Sequence, residues 1–158
     1  MYRRILVAVD GSATSNKALV AALEMASYSG GRSVIRLIHV LDELVYLPGL
    51  DPHAGQFGSA IYAMREDGEK VLAAGLAIVQ SAGVLGDTVL LDRLGAHLAE
   101  TVAEQATEWK ASLLVVGTHG RRGVGRMLMG SGAEQIIRLA PCPVLVVRGA
   151  EGAPSTER

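Results

Sequence analysis

Four short runs of apolar, β-favouring residues constrain this chain most: Ile5–Val9, Val34–Val40, Leu113–Val116 and Val144–Val147. A strand with one wet face alternates polar and apolar residues. Runs as continuously apolar as these belong to strands covered on both faces, as in a parallel sheet between layers of helices. A fifth run, Asp87–Asp92, has an acid at each end and reads as a partly exposed strand. Helical patterns fill the gaps. Ser12 or Thr14 caps a helix with the stripe Ala18, Leu19, Ala22, Leu23 and Ala26, ended by Gly30-Gly31. A second helix covers 60–81, with Val71, Leu72, Leu76 and Val79 inward and Gly83 beyond its end. A third presents Leu98, Val102, Ala106 and Trp109 on one face. A fourth runs from Ser131 to Leu139 and is stopped by Pro141. The order β-α-β-α-β-α-β-α-β requires right-handed crossovers. The expected fold is therefore α/β: a single-domain, doubly wound, five-stranded parallel sheet with helices on both faces.

At 158 residues, 49% of them hydrophobic, the chain suits one domain with a substantial core. Residues 1–148 form that domain, and 149–158 read as a flexible tail. Residues 41–59, with Pro48, Gly49, Pro52, Gly55 and Gly58, make a long loop of the kind that carries function or moves. The net charge is −1 and aromatic residues are 4%. Neither a basic field nor a stacking surface for nucleic acid follows from that, nor an attraction to anionic membranes. The single cysteine, Cys142, excludes an internal disulfide framework and a multi-thiolate metal site, and fits a reducing compartment. The apolar run Ile5–Val9 is too short for a secretion signal, and no stretch approaches the ~20 apolar residues that span a bilayer. A cytoplasmic protein is expected.

In a doubly wound sheet, ligands bind outside the carboxyl ends of the strands, where the strand order reverses. After the fourth strand comes Gly117-Thr-His-Gly120-Arg-Arg-Gly123-Val-Gly125-Arg-Met-Leu-Met-Gly130-Ser131-Gly132. Six of the 19 glycines fall in these sixteen residues. Glycines between a buried strand and a helix suit phosphate, because backbone N–H groups approach the oxygens closely and the helix start adds donors and partial positive charge. The Walker A pattern fails, since Ser131 follows Gly130 directly and no Lys intervenes. The dinucleotide pattern fails because Leu128 stands where its third glycine should be.

The spacing that does fit is G-x2-G-x9-G-[ST], with Gly117, Gly120, Gly130 and Ser131 in the four places. With its flanks, Leu-Leu-Val-Val-Gly-Thr-His-Gly-Arg-Arg-Gly before and Ala-Glu-Gln-Ile-Ile-Arg-Leu-Ala-Pro-Cys-Pro-Val-Leu-Val-Val-Arg after, and with the opening Ile-Leu-Val-Ala-Val-Asp-Gly-Ser, the sequence resembles the universal stress protein (UspA-like) family over residues 2–148. The resemblance implies a sheet related to the adenine nucleotide alpha-hydrolase group, a homodimer, and the ATP-binding subgroup that carries the full glycine motif. By position, it implies that Asp10 contacts the ribose and that Ala8 and the Val40 backbone line an adenine pocket. Gly117, His119 and Gly120 would follow the ribose and α-phosphate, and Gly130, Ser131 and Gly132 the β- and γ-phosphates. Mg²⁺ would come with the triphosphate, Ser131 contributing a hydroxyl. Val144, Leu145, Val146 and Val147 would pair with their twin across a dimer axis. Three departures stand out: Gly132 replaces the family's usual Val or Thr, Ser112 replaces a common acid, and Gly95-Ala96-His97 matches poorly.

Plainer roles stand beside these. Asp10 also suits a helix cap. A phospho-acceptor role would need a second acid beside it, but Val9 and Gly11 flank it. His39 in its apolar strand reads as a satisfied core or edge residue, and the four histidines lack metal-ligand spacing. Arg121, Arg122 and Arg126 either neutralise phosphate or form a solvated loop. Cys142, between two prolines, reads as structural. The expected function is that of an ATP-binding stress-response regulator or sensor, with slow hydrolysis or none because a Walker Lys and an evident water-positioning carboxylate are lacking. The rivals are a weak ATPase or nucleotidyl-transfer enzyme, with His119 as base and Asp42 or Glu43 more distant, and a dimeric interaction protein independent of nucleotide.

Overall fold

The computed structural model describes residues 1–41, 56–92, 97–118 and 130–149. His119, Gly120, Arg121, Arg122 and Arg126 lie outside them, as do Asp42, Glu43, most of the 41–59 loop and the tail from 150 onward. Among the described residues nine elements alternate as the sequence predicts: β1 (Arg4–Ala8), α1 (Ala13–Ser27), β2 (Val34–Leu41), α2 (Gln56–Ser81), β3 (Leu85–Asp92), α3 (Leu98–Glu108), β4 (Leu113–Gly117), α4 (Ser131–Leu139) and β5 (Val144–Val147). They form one sheet in the order β3-β2-β1-β4-β5, with every pair parallel. The chain winds outward from β1 to β3, returns beside β1 as β4 and ends at β5. The order therefore reverses between β1 and β4, the position where such sheets take ligands.

Two cores flank the sheet. On one face Ile5, Val7, Ile35, Leu37 and Val115 pack beneath Ala18, Leu19, Ala22 and Ala26 of α1 and Leu72 and Val79 of α2. On the other, Leu6, Ile38, Leu114 and Val116 meet Val102 and Ala106 of α3 and Ile136 of α4. Successive strand residues thus enter opposite cores, which explains why the strands read as continuous apolar runs.

The element ends differ from the sequence reading in physical detail. Ser12 caps α1, its Oγ accepting from the Ser15 amide at 3.1 Å. Gly30 and Gly31 follow that helix with φ of +60° and +77°, conformations that favour glycine. α2 begins at Gln56, four residues before the expected start. Gly130 is the cap residue of α4, and Ser131 opens the helix as the sequence predicts. Trp109 lies just past α3 and packs on the second core, with the Arg36 guanidinium 4.8 Å from its ring centre. Arg36 also makes a two-pronged ion pair to Asp87 at 2.7 and 2.6 Å, which ties β2 to the edge strand β3 and raises the Arg36 pKa.

Candidate functional site

The strand ends at the reversal point are shaped by short polar contacts. After β1, the Asp10 carboxylate accepts from the Ser12 amide at 2.9 Å across Gly11, whose φ is +79°. This is a side-chain turn that starts α1 beside the strand end. The Asp10 amide in turn donates to Ser15 Oγ at 3.4 Å. Asp10 therefore braces the turn, and the capping role belongs to Ser12.

After β4, the buried Thr118 links three elements. Its amide donates to Val147 O on β5 at 2.9 Å, and its carbonyl accepts from the Gly130 amide at 2.9 Å. That second bond fixes the start of α4 against the end of β4. Within α4, intrahelical bonding begins with Glu134 N donating to Gly130 O at 3.0 Å. The amides of Ser131, Gly132 and Ala133 consequently have no acceptor inside the helix, and Gly130 offers no side chain to cap them. Aligned N–H groups and the positive helix end are the features an anion takes up. Ser131 is exposed in that turn.

The glycines here have steric reasons. A Cβ at Gly117 would lie 2.8 Å from Thr14 Cγ2, so β4 passes hard against the first turn of α1. A Cβ at Gly130 would lie 3.0 Å from the Thr118 carbonyl oxygen. At Gly132 it would lie 3.2 Å from Leu98 Cδ2, so the residue that departs from the family pattern is matched to close α3–α4 packing.

Ala8 and Val40 lie near the carboxyl ends of adjacent strands, partly buried against the same core as α3 and α4. The fold thus gathers Ala8, Asp10, Val40, Gly117, Gly130, Ser131 and Gly132 around the strand ends, with α4 on the Ala8–Val40 face. Val144, Leu145, Val146 and Val147 form the outer strand β5, where Val147 pairs with Gly117. Sequence reasoning missed Thr118, and read Thr14 only as a possible helix cap and not as the neighbour of Gly117. Both sit among small or polar residues where no period marks them, and only the strand pairing brings them against Gly130 and Gly117. Cys142 is partly buried, and burial pushes its thiol pKa up, in keeping with a structural residue.

The universal stress protein family model matches residues 1–148. The chain belongs to the universal stress protein family. It is 34% identical over 148 residues to a universal stress protein of Thermus aquaticus, covering 94% of this chain and 100% of that protein. It is 32% identical over 148 residues to universal stress protein MJ0531 of Methanocaldococcus jannaschii, covering 94% and 83%. Among solved structures, a universal stress protein family member from Burkholderia pseudomallei has a TM-score of 0.70 at 36% identity, covering 92% of this chain and 95% of that one. Two further members of the family were solved with adenine nucleotides. One is the Archaeoglobus fulgidus protein with dAMP, at TM-score 0.64, 25% identity and 92% and 98% coverage. The other is a universal stress protein with cAMP, at TM-score 0.61, 26% identity and 93% and 97% coverage.

Proposed function

We propose that this universal stress protein binds ATP, with the adenine beside Ala8 and the Val40 backbone and the ribose near Asp10. The phosphates would run past Gly117, His119 and Gly120 to the first turn of α4 at Gly130, Ser131 and Gly132. The observation that carries this reading is the Thr118 O···Gly130 N bond at 2.9 Å. It holds a helix start with three amides lacking intrahelical acceptors next to the point where the strand order reverses. The family members solved with dAMP and cAMP support an adenine nucleotide as the ligand class. The motif spacing supports the triphosphate.

Ser131 is the protein's own hydroxyl for the Mg²⁺ that accompanies a triphosphate, the remaining ligands being phosphate oxygens and water. Arg121, Arg122 and Arg126 supply the positive charge that a Walker Lys supplies elsewhere. Nothing in the sequence of the loop is an evident water-positioning carboxylate, so hydrolysis is slow or absent and the nucleotide acts as a signal. The protein would work as a cytoplasmic homodimer in a stress response.

Calorimetric titration with Mg-ATP tests this. The wild type is expected to bind. Gly130→Val, which drives a side chain at the Thr118 carbonyl, combined with Ser131→Ala, is expected to weaken binding by about tenfold or more, two lost polar contacts being worth roughly 1 kcal/mol each. Absence of binding to ATP, ADP and AMP at millimolar concentration contradicts the proposal.

A further inference from the structure

The end of the β1–β2 ladder has an unusual partner. The last paired residues are Ala8 and Ile38, and Val9 N donates to Ile38 O at 2.9 Å. In a parallel ladder the next bond runs from Val40 N to Val9 O. Here Val9 O accepts instead from the His39 ring, Nδ1 lying 2.8 Å away. A carbonyl has no proton to give, so Nδ1 carries it. Val9 is 6% exposed, and its carbonyl would be costly to leave unmet. The imidazole is a substitute for the missing ladder bond.

The Val40 N–H is left over by that substitution. Along a strand, the N–H and C=O of alternate residues point to the same neighbour. Ile38 O is turned toward β1, so the Val40 amide and carbonyl are turned the same way, just beyond the last paired residue of β1. Among the described residues no acceptor meets the Val40 N–H. The imidazole has room because residue 68 of α2 is glycine. A Cβ there would lie 2.7 Å from His39 Cδ2, 3.2 Å from Nε2 and 2.8 Å from Leu90 Cδ1.

We propose that His39 is a positioning residue: by taking the Val9 carbonyl it ends the ladder one bond early and presents the Val40 N–H to the crevice as donor to a ring nitrogen of a flat heteroaromatic ligand. The neighbours suit such a ring. Ala8 is small, Val40 is apolar, and both are partly exposed on one face. The ligand half of this inference rests on the nucleotide reading above. The strand-end half stands on the hydrogen bonds alone.

Amide hydrogen exchange by NMR separates the two. In wild type without nucleotide, the Val40 amide should exchange much faster than the Ile38 amide, and ATP should slow it. His39→Leu removes the donor, so Val40 N–H closes onto Val9 O. Its protection without nucleotide should then rise by about tenfold, and ATP affinity should fall about fivefold, the size of one net hydrogen bond. His39→Asn, which carries an amide N–H near the Nδ1 position, should behave like wild type in both respects. A wild-type imidazole without a proton on Nδ1, read from its ¹⁵N shifts, overturns the proposal. So does strong Val40 protection in ligand-free wild type, or unchanged Val40 exchange in folded His39→Leu. If wild type binds no adenylate, the nucleotide reading fails, while exchange in the ligand-free protein still decides the role of His39.

Discussion

Single residues at the strand ends are under opposing demands for closeness and polarity. Gly117 shows the first demand. Its missing Cβ lets Thr14 approach, so Gly117→Ala should destabilise the fold by about 1–3 kcal/mol, the usual cost of overpacking a tight contact. Thr14→Ser in the same chain removes Cγ2, the atom 2.8 Å from the added Cβ, and should recover part of that loss in a urea denaturation series. Cys142 makes a second residue-scale prediction. With its pKa raised by burial, less of it is thiolate at pH 8 than of a free thiol. Its reaction with a disulfide reagent should be slower than that of a small-molecule thiol, and unfolding should abolish the difference. Ser12 as a cap was legible in the sequence, because residue type and position suffice for it. The Asp10 turn was legible only as a choice between two roles, since a carboxylate at a strand end serves either.

At the scale of elements, α2 explains a feature that composition leaves obscure. Gly68 and Gly75 sit inside a 26-residue helix, where each costs about 0.5–1 kcal/mol relative to Ala by propensity. Both face the sheet at close range. A Cβ at Gly75 would lie 2.7 Å from Leu37 Cδ1, the end of a flexible side chain that can turn aside. A Cβ at Gly68 would meet a ring held by its bond to Val9 O and the Leu90 methyl together. Gly75→Ala should therefore be near neutral, propensity offsetting strain, while Gly68→Ala should cost about 1–3 kcal/mol and loosen His39. Thermal unfolding of the two variants checks the order. Sequence periodicity places these helices well because their apolar stripes repeat along the chain. It misses close approach, which depends on which strand lies beneath and so on strand order.

For the whole molecule, alternating apolar runs and helices made the doubly wound sheet legible, and the glycine spacing pointed to the end of β4, which lies beside the reversal point. The contacts that assemble that end were not legible, because Thr14, Thr118, Gly130 and Val147 are brought together by pairing between distant segments. The outer edge of β5 bears on assembly. Pro143 O and Val147 O accept from Leu114 N and Thr118 N of the β4 side, so the alternate residues Val144 and Val146 direct their backbone groups outward. If the chain dimerises through this edge, as we propose, it should sediment at twice its 16.5 kDa mass. Val146→Pro, which removes an outward donor and spares the β4 bonds, should then sediment as a single chain with an unchanged fold. A wild type that sediments as a single chain contradicts the edge pairing. Placement of the nucleotide at the carboxyl ends of the strands is tested most directly by amide chemical-shift mapping during titration with Mg-ATP. Saturable shifts should concentrate at Ala8, Asp10, Val40, Gly117, Thr118 and Gly130–Gly132, with β3 and the amino-terminal ends of the strands unmoved. Shifts centred elsewhere, or no shifts at saturating ATP, would contradict it.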